Sequence, residues 1–389
     1  MRVAIVAEYY PRVHDPALGI WAHRQAVATA AAGADVHVLV LHRPVPPRAA
    51  LHARDSAALV APLRQPLRAE LGGIPVTYVP FLAPPRPRSY STWGSWAAPS
   101  LALALRRLRR RFAFDLVHAH YAAPAGDAVR RSGVRVPLAV SVHGGDLLAV
   151  AHRSRAGARA VRGALGRAAV VLANSAGMAR RAEALGAEHT RVVHLGSDLP
   201  TVAAPAGPTR LVTVGSLIRR KRHSDVLRAM WLLRTSHPEA EWVVVGDGPE
   251  RGPLERLAQE LELADRVHFT GALTPDRALE EARRGAVFVL PSVDEAFGVA
   301  YIEAMAGAVP AIGCRGEDGP EEIAASGHGI RLVAPGDPED LARELGELLD
   351  SDDWRHELGS AARETVARDF TWEACGRATV EAYEQALRG

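Results

Sequence analysis

Lysine is nearly missing from this chain. Of its 47 lysine and arginine residues 46 are arginine, and Lys221 alone is lysine. Bias in the source is one explanation. The other is a site that needs a compact ammonium rather than a planar guanidinium. Cysteine is scarce too: Cys314 and Cys375 are the only two, which excludes a disulfide framework or a cysteine metal site. No apolar run approaches the roughly 18 residues that a spanning helix needs. The chain enters a strand, RVAIVAEYY, at its first residues, and the expectation is a cytoplasmic protein. Nucleophile elbows and zinc spacings are absent. The only Asp-x-Asp of note, Asp350-Ser351-Asp352, ends a surface helix and reads as a cap, so no metal is expected.

What is present is ordinary in bulk and uneven in placement. Apolar content of 48% and charged content of 23% suit a soluble globular protein, and 389 residues suit two domains. Residues 1–200 carry 26 Arg against 11 Asp and Glu, a net of +15. The remainder carries 21 Lys and Arg against 33 Asp and Glu, a net of −12. Such a split suggests that the first half faces something anionic, or that its arginines are simply solvated. SLALALRRLRRRF (100–112) reads as a helix with an apolar start and a basic end. It suits either an anionic membrane surface or ordinary packing of its leucines.

The pattern of elements is strand alternating with helix. Val3–Ala7, a helix from about Trp21 to Ala32 and DVHVLVL form a βαβ unit, which implies a parallel, doubly wound sheet. IPVTYVPF reads as a strand within the Pro- and Arg-rich residues 44–99. DLVHAHY and PLAVSVHGGDL read as buried strands that each end in a histidine, His120 and His143. Ligands of open α/β sheets gather at the carboxyl ends of strands, so two histidines there favour a site over a structural role. LPTVAAPAGP (199–208) reads as a linker, and beyond it the alternation restarts. The expected layout is α/β throughout: a Rossmann-like domain over 1–198, a second over 209–370, and a final helix over 371–389 that could pack back on the first domain. The two would face each other across a cleft.

The stretch Val287–Pro310, VFVLPSVDEAFGVAYIEAMAGAVP, carries most of the chemistry. A short buried strand ends at Pro291, and Gly298 opens a helix. First-turn amides have no intrahelical acceptor and are suited to an anion. Glu295 precedes that helix and Glu303 lies within it, so the two can embrace one elongated ligand. GDGPERG (246–252) only formally resembles a dinucleotide loop: Pro249 interrupts it, and no acidic residue follows at the required distance.

With these residues in view, the whole chain resembles the retaining GT-B glycosyltransferases of family 4. VGSLIRRKRH, VVVGDGPER, VHFTGAL, LPSVDEAFGVAYIEAMA, VPAIG and LVAPGD fall in the family's order; HAHY, VSVHGGD, ANS and VVHLGSD match more thinly. The resemblance implies that Glu303 holds the ribose of a nucleotide-sugar and Glu295 the donor sugar. Lys221 would neutralise the diphosphate, helped by the amides of Phe297, Gly298 and Val299. The base would rest near Gly271, Ala272 and Leu273. His120 and His143 would approach the sugar, and Gly19 would let its loop near the phosphates. The chain departs from the family in two places. Ser216 stands after Gly215 where an arginine is common, leaving Arg219 or Arg220 to substitute, and the first loop has one glycine where the family has two.

The resemblance thus implies transfer of a sugar from a UDP- or GDP-sugar to a hydroxyl, with no metal or other cofactor. The acceptor would be a sugar or a lipid-linked sugar in envelope, exopolysaccharide or glycolipid assembly. The charge split, SLALALRRLRRRF and the arginines between Arg153 and Arg167 add the expectation of peripheral contact between the basic first domain and an anionic membrane at its inner face; no nucleic acid partner is expected. Three rivals remain: a nucleotide-sugar epimerase of the same fold, an NAD(P) oxidoreductase, and a non-catalytic sugar-nucleotide binder.

Overall fold

The structure is a computed structural model that describes residues 1–46, 56–202 and 207–388. The chain divides into two compact units, Met1–His194 with Trp372–Gly389, and Leu195–Thr371. The change of unit falls before the Pro/Ala segment 199–208, part of which lies outside the described residues. No helix among the described residues is long and apolar enough to cross a membrane.

The first unit holds an eight-stranded sheet. Its strands are β1 (Arg2–Ala7), β2 (Asp35–His42), β3 (Arg68–Leu71), β4 (Ile74–Pro80), β5 (Leu116–His120), β6 (Leu138–Val142), β7 (Val170–Ala173) and β8 (Thr190–Val192). Their spatial order is β3-β4-β2-β1-β5-β6-β7-β8. All neighbours are parallel except β3, which pairs antiparallel with β4 at the edge. The sequence reading missed β3: RAEL shows neither an apolar run nor clear alternation, and its pairing with β4 holds it in place. The helix foreseen from Ser100 begins earlier, at Trp93, and continues to Arg111 with Pro99 inside it.

β1 and β5 are buried almost along their length, as continuous apolar strands covered on both faces should be. The last helix, Trp372–Arg388, belongs to this unit and packs along the helix Ile20–Ala31. Close approach explains a small residue there: a side chain on Gly376 would meet the Ala28 carbonyl at 2.2 Å. Gln25 donates to Thr379 across the same seam at 3.1 Å. Cys375, Ala382 and Tyr383 thereby join the core built on β1, β2 and β4.

The second unit is an all-parallel six-stranded sheet in the order β11-β10-β9-β12-β13-β14. Those strands are β9 (Arg210–Val214), β10 (Glu241–Val245), β11 (Val267–Gly271), β12 (Val287–Val289), β13 (Ala311–Cys314) and β14 (Ile330–Val333). Its core runs from Leu211 and Trp242 to Leu345 and Leu358, contributed by helices such as His223–Leu232 and Pro338–Asp350. Ser351 caps the next helix, accepting from the Trp354 amide at 3.1 Å, so Asp350-Ser351-Asp352 is a helix junction.

Candidate active site

In the second unit the carboxyl ends of β9, β10 and β12 carry the sequence's candidate residues. β12 stops at Val289, and the chain turns through Pro291–Phe297 into the helix Val299–Met305. Gly298 is required at that turn. Its φ is +82°, and an added Cβ would meet the Tyr301 ring at 2.4 Å. Tyr301 is itself pinned, donating to the Leu290 carbonyl at 2.5 Å and lying 3.2 Å from the Ser292 hydroxyl. Glu295 is thus held from beneath by a buried hydroxyl relay. Ser292 Oγ donates to Glu295 Oε2 at 2.8 Å, and the Glu295 amide donates to Glu317 Oε2 at 2.9 Å.

Lys221 comes to the same carboxylate from a segment 74 residues earlier. Its Nζ lies 2.5 Å from Glu295 Oε2, and the two side chains are only 12% and 9% exposed. Arg220 follows at 3.5 Å, and its main chain is tied to the same loop, its carbonyl accepting from the Val293 amide. The sequence left Arg219 and Arg220 open as stand-ins for the arginine absent at Ser216. Arg220 stands beside the pair, whereas Arg219 is out in solvent, 3.9 Å from Glu250. The resemblance implies that Lys221 and Glu295 contact different parts of a ligand; among the described residues they hold each other. Among the described residues the side-chain contacts of Lys221, Arg220 and Ser292 to Glu295 all fall on Oε2.

The electrostatics follow from this packing. Burial pushes the Glu295 carboxyl up, but Lys221 and Arg220, with hydrogen bonds from Lys221 and Ser292, outweigh it and leave it below the ordinary range. Glu317 goes the other way: burial raises it, and Asp294, Glu295 and Asp318 nearby keep it raised against its bond from the Glu295 amide.

The remaining donor-side candidates lie around this pair. Gly215 and the exposed Ser216 follow β9, and GDGPERG is stitched to them: Leu217 donates to the Asp247 carbonyl, and Glu250 donates to the Leu217 carbonyl. That loop is therefore a packing turn. Gly271 ends β11, bonded through its carbonyl to the Gly246 amide; Ala272 is exposed, and Leu273 packs on Val212, Val243 and Val245. Phe297 is buried on Phe370, Val299 starts the helix, and Glu303 is half-buried within it.

In the first unit the two histidines do meet. His120 Nδ1 and His143 Nε2 are 3.1 Å apart with nearly parallel rings, and Trp21 and Tyr121 pack on His143. Their other nitrogens, His120 Nε2 and His143 Nδ1, are buried without a hydrogen-bond partner among the described residues. Burial pushes His120 down to about 3; burial and then His120 push His143 down as well, so both imidazoles are neutral. Behind them His118 bridges Ser141 and Tyr383 at 2.7 Å each. Asp146 accepts from the amides of Ala122, His143 and Leu147, and burial raises it to about 6 despite those bonds. Gly19 is not free to serve only a ligand: with φ +64°, an added Cβ would strike the Tyr9 carbonyl carbon at 2.3 Å.

The sequence reading missed Glu8. It follows β1 directly, the position that made the histidines notable, and it is 4% exposed. Arg86 binds it with 2.9 and 3.0 Å contacts while lying over the rings of Tyr9 and Tyr90, and Tyr90 OH donates to it at 3.1 Å.

Comparison with known proteins bears on both units. The family model described as glycosyl transferases group 1 matches residues 199–365, and the glycosyl transferase 4-like domain matches residues 18–196. The putative teichuronic acid biosynthesis glycosyltransferase TuaC of Bacillus subtilis is 27% identical over 95% of each chain. The MMP alpha-(1->4)-mannosyltransferase of Mycolicibacterium hassiacum is 31% identical, over 52% of this chain and about half of that enzyme's length. Among solved structures, sucrose-phosphate synthase from Thermosynechococcus elongatus superposes with a TM-score of 0.80 at 21% identity, covering 100% of this chain and 99% of the other. HepE from Anabaena in complex with UDP gives 0.73 at 17% identity, covering 99% and 100%. Two matched domain models that together span most of the sequence, on two parallel α/β units, establish that the chain belongs to the family 4 glycosyltransferases and has the GT-B fold.

Proposed function

We propose that the chain transfers a sugar, with retention at the anomeric carbon, from a UDP- or GDP-sugar to a hydroxyl acceptor without a metal. The observation that carries this reading is the buried Lys221–Glu295 pair beside the start of the helix that bears Glu303. An ammonium already desolvated there suits a diphosphate whose charge grows as the C1–O bond to it breaks. On this reading Lys221 and Arg220 turn toward the phosphates, joined by the amides of Phe297, Gly298 and Val299. Glu295 Oε1 accepts from a donor-sugar hydroxyl, and Glu303 accepts from the ribose. The acceptor oxygen attacks C1 on the face the phosphate leaves, and its proton passes to the departing phosphate oxygen. Ala272 and Leu273 are assigned to the base.

Solved structures of HepE with UDP and with UDP-glucose favour a uridine donor as the first to try. TuaC is named for teichuronic acid biosynthesis, which supports an acceptor in polysaccharide assembly; an acceptor on a lipid carrier would place the enzyme at the inner face of the membrane. An NAD(P) oxidoreductase is disfavoured because GDGPERG spends its backbone on residue 217. Incubation with a panel of UDP- and GDP-hexoses, with and without sugar acceptors, is read by proton NMR of the anomeric signals. A product with the donor's anomeric configuration is expected. An inverted product would overturn retention, and an isomerised donor formed without acceptor would favour an epimerase.

A further inference from the structure

Six of the thirteen exposed large apolar side chains among the described residues fall between positions 60 and 103, all in the first unit. Leu82 is 70% exposed, Trp96 51% and Leu103 47%. Helical spacing explains how two of these share one strip. On the helix Trp93–Arg111, Trp96, Ser100, Leu103, Arg107 and Arg111 recur every three or four residues on one face, while Ala97, Leu101, Leu105 and Leu108 are buried on the other. Ser100, Leu103, Arg107 and Arg111 of that face line a 330 Å³ groove against the sheet edge, together with Leu67 and Arg68 of the β3 side, and Trp96 lies one turn before it on the same helix. Across the helix, Arg106, Arg109 and Arg135 line a second hollow of 220 Å³.

A tryptophan and a leucine followed by two arginines along one exposed helical face suit a helix lying in the headgroup layer of a bilayer. Arginine stems cover apolar surface while their guanidinium groups reach phosphates. The charge agrees: the first unit, with 28 Arg against 13 Asp and Glu, carries +15, and the second carries −12. A nucleic acid would satisfy the arginines but would leave Leu67 and Leu103 in water.

We propose that the groove between the Trp93–Arg111 helix and the β3–β4 edge docks the first unit on an anionic phospholipid surface, with Leu103 and Trp96 entering the headgroup layer. This deepens the reading of a lipid-linked acceptor. Its test reads binding without turnover, so either can fail alone.

The full chain is sedimented with phosphatidylcholine vesicles that contain or lack phosphatidylglycerol, at low and high salt. Binding is expected only with phosphatidylglycerol, and weaker in salt because screening shortens the reach of exposed charges. R107E/R111E should lower the partition by at least about fivefold per arginine removed. L103D should lower it with the melting temperature unchanged, and Arg256→Glu in the second unit should leave it unchanged. The proposal falls if wild type ignores anionic vesicles at low salt or binds neutral ones equally. It also falls if R256E matches R107E/R111E, if L103D binds as wild type does, or if nucleic acid binds through this face and vesicles do not.

Discussion

Removing the Lys221 ammonium would strand a carboxylate that is only 9% exposed and 2.5 Å from its partner. Lys221→Met keeps the aliphatic length and deletes the charge. Breaking one side of a buried ion pair costs about 3–5 kcal/mol. Arg220 at 3.5 Å and the Ser292 hydroxyl at 2.8 Å remain, which places the effect at the lower end, about 3 kcal/mol. For a unit the size of residues 195–371 this lowers Tm by about 6–12 °C, read by calorimetry at pH 7.5. The pH dependence carries the sharper signature. In wild type the folded Glu295 sits below its unfolded value, so the stability it contributes is present above that unfolded value and is lost as pH falls through the folded one. Without Lys221, burial dominates and the folded value rises above the unfolded one. The variant then gains protons on folding, and its deficit narrows as pH falls toward 5. Adding Glu295→Gln to Lys221→Met should recover part of the loss, since no charge is left buried. A Lys221→Met protein as stable as wild type at pH 7.5, or a deficit that does not narrow in acid, would refute this account of the pair.

Other consequences are as direct. Gly298→Ala should destabilise the second unit by at least about 1–2 kcal/mol from the left-handed backbone alone, and by more from the Tyr301 contact, read as a lower Tm. His118, His120 and His143 are held neutral by burial, so their folded values lie below the unfolded one and stability rises with pH through that window. Between pH 6.5 and 5.5 each should remove about 1 kcal/mol, partly offset by Asp146, whose raised value of about 6 acts in the opposite sense. Thermal melts should therefore show the first unit weakening over that step, and a flat profile would contradict it. Glu8→Gln leaves Arg86 without its charged partner and should lower the first unit's Tm without altering nucleotide affinity.

How much of this was legible in the sequence depends on range. Buried parallel strands announce themselves locally, which is why β1, β5, β6, β9 and β10 could be placed from their apolar runs alone. β3 could not, because RAEL is ordered by its neighbour rather than by its own pattern. Lys221 was singled out as the only lysine and Glu295 by its place before a helix, yet their pairing across 74 residues has no local signature. The resemblance explains glycine at Gly19 by access for a ligand; the structure adds the backbone of Tyr9, a tertiary contact that spacing does not reveal. Glu8 carries the same strand-end signal as His120, but EYY contains no motif that singles it out.

The central claim, a nucleoside diphosphate held beside Glu295, Lys221 and Glu303, is tested most directly by calorimetric titration of UDP and GDP into wild type and Glu303→Ala. Wild type should bind at least one of the two. Glu303→Ala should weaken that binding by about 10- to 150-fold, the 1.5–3 kcal/mol of one hydrogen bond to a charged group, with its melting temperature unchanged. Undiminished affinity in a folded Glu303→Ala protein, or no binding of either nucleotide by wild type at millimolar concentration, would contradict it.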